Sequence, residues 1–233
     1  TFVGKGLTYD SGGYALKPAG SMVTMQTDMG GSAAVIGALK AISDNKLNVN
    51  IVAVTALAEN MISGRAYKNG DIISSMKGTT IEVINTDAEG RVTLADAIYY
   101  AATKLNSTKI VEISTLTGAC ITALGKEITG ATSNNDDFYQ EVHNAGLKAG
   151  ELNWRLPITK SLEKLVKGEV GDLKNAISGG AGAITAGIFL EHFAEEKPFV
   201  HLDIAGPSFN KARTYYYKGA TGVGVKTLYE LVK

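Results

Sequence analysis

Along the 233 residues, short apolar runs trade places with longer stretches in which apolar residues recur every three to four positions. Phe2 to Tyr9, Asn50 to Leu57, Thr80 to Thr86, Lys109 to Ser114 and Phe199 to Ile204 read as strands. Gly31 to Ile42, Val92 to Leu105, Asp136 to Ala149, Ser161 to Lys167, Ala181 to Glu195 and Gly222 to Val232 read as helices, with Asn135 and Asp136 offering a cap to the third of them. Strands alternating with helices predict one α/β domain over residues 1–233: a mostly parallel, mixed central sheet sandwiched between helices. In such sheets ligands collect beyond the carboxyl ends of the strands, so the residues that follow each strand are the place to look for chemistry.

Composition narrows the picture. With 23 basic and 23 acidic side chains the formal charge is zero, which argues against a nucleic-acid grip built on net positive charge. Hydrophobic residues at 45% and charged ones at 20% fit a globular chain rather than a disordered one. Apolar runs break well before the ~18 residues of a membrane span, and no basic-then-apolar leader opens the chain, so a cytoplasmic protein with no membrane partner is expected. A lone cysteine, Cys120, allows neither an internal disulfide nor a thiolate metal cage. The chain begins at Thr1 inside an apolar run, which suggests that an upstream portion precedes it.

Three strand ends carry acid and glycine together. Lys5 sits on the first strand of VGKGLTYDSGGYALKP, Asp10 ends it, and Lys17 follows the turn. MQTDMGGSAA places Asp28 ahead of a helix, and INTDAEGR places Asp87 and Glu89 two apart, facing the same way if the strand persists. Carboxylates after strands also cap helices or sit in solvent. Four converging in one crevice would repel one another and raise each other's pKa, a conflict that divalent cations remove. Oxygen ligands spread over several loops, two of them able to bridge, suit a two-metal site at the carboxyl ends of the strands.

NTDAEGR stands intact at Asn85 to Arg91, and VGKGLTYDSGG, DMGG, AENMISGRAYKNGD, TLTGA, WRLP, DLKN, GAGAITAGIFL and HLDIAG accompany it in order. In these segments the chain resembles the cytosol (leucyl) aminopeptidases, two-metal exopeptidases, from Thr1 to nearly Lys233. The resemblance implies that Lys5, Asp10, Asp28 and Glu89 bind the tighter metal and that Asp10, Asp87 and Glu89 bind the exchangeable one. It implies zinc most readily, with manganese, magnesium or cobalt at the exchangeable site, and a water shared by the ions as nucleophile. Lys17 would stabilise the oxyanion, and Arg91 would hold a bicarbonate ion acting as general base. Met25, Thr115, Gly118 and Ala205 would line the pocket for the first side chain and favour leucine-like groups, with Asn85 also contacting substrate. Peptides with a free N-terminus are the implied substrates, because a free α-amine can ligate the exchangeable metal whereas an internal amide nitrogen is a poor ligand. A homo-hexamer and a smaller N-terminal domain, absent from this chain, are implied partners.

Two alternatives stay open: a non-catalytic assembly or DNA-linked member of the family, and a hydrolase of other small amides such as cysteinylglycine. A scaffold has no need of Lys5, Asp10, Lys17, Asp28, Asp87, Glu89 and Arg91 together. His143, His192 and His201 have no partner at metal-ligand spacing and read as structural, as do Asp96 and Asp203. GATGVGVKT lacks the adjacent Gly-Lys of a phosphate loop, and GGAGAIT lacks the last glycine of a dinucleotide fingerprint. Tyr215, Tyr216 and Tyr217 beside Arg213 and Lys218 suggest an ordered loop or subunit contact rather than a nucleic-acid platform.

Overall fold

The computed structural model describes residues 1–210 and 218–233, so Arg213 and the three neighbouring tyrosines lie outside the described residues. In chain order the elements are β1 (Phe2–Asp10), α1 (Ala19–Met22), α2 (Gly30–Asp44), β2 (Ala53–Asn60), β3 (Ile72–Ser74), β4 (Thr80–Glu82), α3 (Glu89–Lys104), β5 (Ile110–Ser114), α4 (Gly118–Leu124) and β6 (Thr129–Ser133). There follow α5 (Asp136–Ala149), β7 (Asn153–Arg155), α6 (Lys160–Leu165), β8 (Leu173–Lys174), α7 (Gly182–Glu191), β9 (Phe199–Asp203), β10 (Phe209–Asn210), β11 (Gly219–Ala220) and α8 (Val225–Val232).

Six strands form the central sheet in the order β2-β1-β5-β9-β6-β7. Its neighbours run parallel except β6 and β9, which pair antiparallel, so the sheet is mixed and mostly parallel. Successive residues of β5 and β9 feed opposite cores, as a period of two demands. Val3, Ile110 and Phe199 pack with Leu94, Ile98 and Phe189 under α3 and α7. Phe2, Val111, Val200 and Leu202 pack with Val35, Phe138 and Leu228 under α2, α5 and α8. Burial on both faces explains why β5 and β9 are mostly apolar, and their mid-strand exceptions Glu112 and His201 are paired with each other. Each fully buried Phe, Leu or Ile contributes about 1.5–3 kcal/mol, so the two cores fix the sheet on which the site is mounted.

One expected strand is reassigned. Residues 80–86 do not continue the central alternation: β4 covers Thr80–Glu82 and belongs to a three-stranded side sheet, β3-β4-β8. The chain then turns through a 3-10 segment, Thr86–Ala88, directly into α3. Asn85 sets that turn by accepting a bond from the Asp87 backbone N–H at 2.8 Å.

Candidate metal centre

β1 delivers two site residues from one strand. Lys5 is almost wholly buried, and its ammonium lies 2.8 Å from Asp28 Oδ2, 3.0 Å from Glu89 Oε1 and 3.1 Å from the Thr115 carbonyl. Asp10, at the end of the strand, accepts bonds on Oδ1 from Gly12 N–H at 2.9 Å and Asn60 Nδ2 at 2.8 Å. Its other oxygen meets Lys17 at 2.9 Å, and Lys17 also meets Asp87 Oδ1 at 2.5 Å. Asp28 precedes α2 and accepts the Thr115 hydroxyl at 2.7 Å.

Asp87 and Glu89 come together by the helical turn, not by strand alternation. One carboxylate oxygen from each of Asp10, Asp87 and Glu89 lies within 4.8 Å of the others. Gly90 lies in the first turn of α3, where a Cβ would fall 2.6 Å from Lys5 Cε and Nζ. The glycine therefore makes room for the lysine in the cluster.

The electrostatics show how crowded the negative charge is. Burial pushes Glu89 up to about 7; Lys5 opposes the shift, and Asp10 and Asp28 add to it. Asp28 and Asp87 are also raised, chiefly by burial, against the pull of Lys5 and Lys17 respectively. Burial alone would lower both lysines, yet their acidic partners hold each above the usual lysine range. Glu89 Oε2 is buried without a donor among the described residues, and Arg91 Nε is buried without an acceptor. Burial brings the Arg91 guanidinium down to about 10.

A cleft of 720 Å³ opens over this cluster. Lys5, Asp10, Lys17, Asp28, Asp87 and Arg91 all line it, and Glu89 lies beneath. Met25, Asn85, Thr115, Gly118 and Ala205 line it as well, so every expected substrate-contact residue reaches the same space.

Residues outside this group are accounted for structurally. Asp203 accepts from Leu116 N–H, Thr117 Oγ1 and Ala205 N–H, which fixes the loop carrying Thr115 and the wall carrying Ala205. Asp96 accepts the Met76 N–H at 2.7 Å. His143 bonds Asn153 at 3.0 Å, His192 bonds Thr79 at 3.1 Å, and His201 is paired with buried Glu112. Glu151 Oε2 accepts from Gly224 N–H, Thr227 N–H and Thr227 Oγ1, so a carboxylate already occupies the amino end of α8 where a phosphate loop would need its ligand.

Sequence reasoning missed Asn60, whose Nδ2 joins Asp10 to the Thr86 carbonyl, and Asn175, which accepts the Ile84 N–H and donates to the Asn85 carbonyl. Asn60 ends β2 beside the end of β1, so the rule that singles out Asp10 would have found it. Asn175 lies beyond β8 and carries no comparable signal.

A family model described as the cytosol aminopeptidase family, catalytic domain, matches residues 1–229. The chain is 58% identical over 232 residues to a probable cytosol aminopeptidase of Clostridium tetani, covering 99% of this chain and 48% of that protein. It is 54% identical over 233 residues to a probable cytosol aminopeptidase of Treponema denticola, covering 99% and 49%. Thus the chain spans about half the length of these relatives. Among solved structures it is similar to the bottromycin maturation enzyme BotP in complex with Mn, with a TM-score of 0.95 and 39% identity, covering 99% of this chain and 52% of that one. No helix among the described residues is long and apolar enough to cross a membrane.

Proposed function

Because the chain belongs to the cytosol aminopeptidase family and corresponds to its catalytic domain, we propose that the cleft removes the amino-terminal residue, preferably leucine-like, from peptides with a free N-terminus. The observation that carries this reading is the convergence of Asp10, Asp87 and Glu89 beside Asp28 and Lys5 at the floor of a cleft lined by Met25, Thr115 and Ala205.

This donor set fits divalent cations. Three carboxylate oxygens within 4.8 Å, a buried Glu89 oxygen without a donor among the described residues and raised carboxylate pKa values all describe a place that positive charge stabilises. Once a cation displaces its proton, the Lys5 amine would join Asp10, Asp28 and Glu89 in holding the tighter ion, while Asp10, Asp87 and Glu89 would hold the exchangeable one, with Asp10 and Glu89 common to both. Zinc leads as occupant, with manganese, magnesium or cobalt suited to the second position; the similar BotP structure carries Mn. When bound, such cations polarise the scissile carbonyl and acidify a water toward neutral pH.

The chain's own groups supply the rest. Lys17 sits half-buried on the cleft wall and holds its proton firmly, so it can place a fixed positive charge by the oxyanion. Arg91 lines the cleft and its buried Nε has no acceptor among the described residues, which suits an anion such as bicarbonate as proton carrier. Asn60 and Asn85 hold Asp10 and Asp87 in orientation, the outer support that such ligands need. Homo-hexameric assembly, a cytoplasmic setting and reliance on the remaining half of the family's chain belong to the same proposal.

The test is hydrolysis of leucine p-nitroanilide and of its N-acetylated form by metal-stripped protein, before and after addition of zinc or manganese, with bound metal counted. Metal-restored activity on the free-amine substrate alone is the expected result. Metal binding with no turnover assigns the deficit to the missing half or to assembly, and no metal binding sinks the site.

A further inference from the structure

Lys5, Lys17, Arg91 and Lys126 are the lysines and arginine lining the cleft among the described residues. Lys5 and Lys17 face acids at ion-pair distance, and Arg91 is buried. Lys126 differs from all three: it is exposed, on the turn that follows α4, and has no acidic partner among the described residues. Its backbone abuts the wall of the first-side-chain pocket, since a Cβ on Gly206 would lie 2.4 Å from the Gly125 carbonyl oxygen and 3.4 Å from Lys126 Cα. Gly206 follows Ala205, and Ser208 and Phe209 continue the same stretch of cleft lining.

Without an acidic partner among the described residues, the Lys126 side chain is open to whatever enters. The rest of that pocket is Met25, Thr115 and Gly118, which offer no charge of their own. We propose that Lys126 recognises a carboxylate on the substrate, and that the cleft therefore takes peptides with an acidic first residue as well as leucine-like ones. This rests on the aminopeptidase reading above. The same ammonium could meet the free carboxyl end of a dipeptide, a second source of the same chemistry that experiment can separate. Because Lys126 is exposed, water and salt screen the pair, and the expected contribution is about three-fold in kcat/KM.

The test compares metal-loaded wild-type protein with Lys126→Met, which keeps an unbranched stem, and Lys126→Arg, which keeps the charge. Substrates are glutamylglycinamide against glutaminylglycinamide, and leucylglycine against leucylglycinamide. In Lys126→Met the glutamyl-to-glutaminyl preference should fall about three-fold, and in Lys126→Arg it should persist. A fall confined to the leucylglycine pair keeps the ion pair, assigns it to the C-terminal carboxylate and overturns the acidic first residue. Unchanged ratios in both pairs overturn the proposal, as does an equal loss on all four peptides. Calorimetric binding of glutamate and glutamine to the same proteins reads the pair without turnover. Failure of the metal-loaded wild type to cleave leucylglycinamide would, as above, place the deficit in turnover or assembly, while the binding difference still decides Lys126.

Discussion

Glu82 and Glu89 flank the same turn and are nearly inaccessible alike, at 8% and 4% exposure, yet they are opposite kinds of carboxylate. Glu82 Oε1, on the side sheet, accepts the backbone N–H groups of Glu169 at 2.5 Å, of Val170, and of Gly171 at 2.7 Å. The Val170 N–H, helped by the other two against burial, holds Glu82 below the usual carboxylate range. Glu89, in the cluster, has one oxygen near Lys5 and one without a donor among the described residues, and burial drives it up to about 7. Equal burial with opposite satisfaction separates a carboxylate that completes the fold from one held in reserve for a ligand.

The sharpest way to break that comparison is to remove each charge in turn. Glu89→Gln should abolish aminopeptidase turnover, by more than about 10²-fold, and lower the bound metal count, since loss of a ligand exceeds the loss of an outer support. The metal-free variant should melt no lower than the metal-free wild type, because a buried, poorly satisfied charge has gone. Full metal and full rate in Glu89→Gln would refute the assignment of the site. Next in size is Lys17→Ala, which should keep both metals by elemental analysis and lose about 10²-fold to 10³-fold in kcat, the cost of one preorganised oxyanion partner. Loss of metal in that variant would make Lys17 a structural counter-charge for Asp10 and Asp87.

The two carboxylates also answer pH with opposite signs. Glu89 has an ordinary value of 4.5 and a folded value of about 7, so between these the folded chain holds a proton that the unfolded chain releases. Stability of the metal-free protein should therefore fall as pH rises from about 4.5 to about 7. Cations compete for that proton as well as for the one on Lys5, so metal affinity should rise over the same window, and its slope should fall by up to about one tenfold step per pH unit once pH passes about 7 and Glu89 has no proton left to release. Calorimetric metal titrations from pH 5.5 to 8 measure this; a slope that is unchanged through about 7 would mean that Glu89 is not a ligand.

Much of this was legible in the chain. The two-sided burial of β5 and β9 left short, mostly apolar segments, and the chemistry sat at strand ends in motifs rich in acid and glycine. Three features were not. β6 reads as a polar turn, TGATS, yet all five of its residues are buried, with small Thr and Ser side chains fitting where larger apolar ones would not. Asn135 caps α5 visibly, but α4 is too short for a period and is marked by little more than the Thr117 side chain accepting the Cys120 N–H. The segment from Thr80 has strand propensity throughout, and only the Asn85 cap, paired to distant Asn175, shows why the chain leaves the strand for a helix before Asp87. Propensity is local, whereas these choices are made by partners far along the chain.

The smallest effect on activity, and the most informative on the comparison, belongs to Glu82→Gln. The amide oxygen can still accept the three N–H groups, so the loop around residues 169–171 keeps its acceptor and loses only the charge that strengthens it. A carboxylate with a depressed folded pKa contributes stability that is present above its ordinary value of 4.5 and is lost as pH falls through the folded value. At pH 7 the variant should therefore melt below the wild type, and the gap should close as the buffer is acidified, where wild-type Glu82 takes up its proton. Metal content and leucine p-nitroanilide turnover should stay at wild-type levels. Were Glu82→Gln to shed metal together with stability, the side sheet would be coupled to the cluster through the Asn175 and Asn85 contacts, and the division of labour between the two carboxylates would fail.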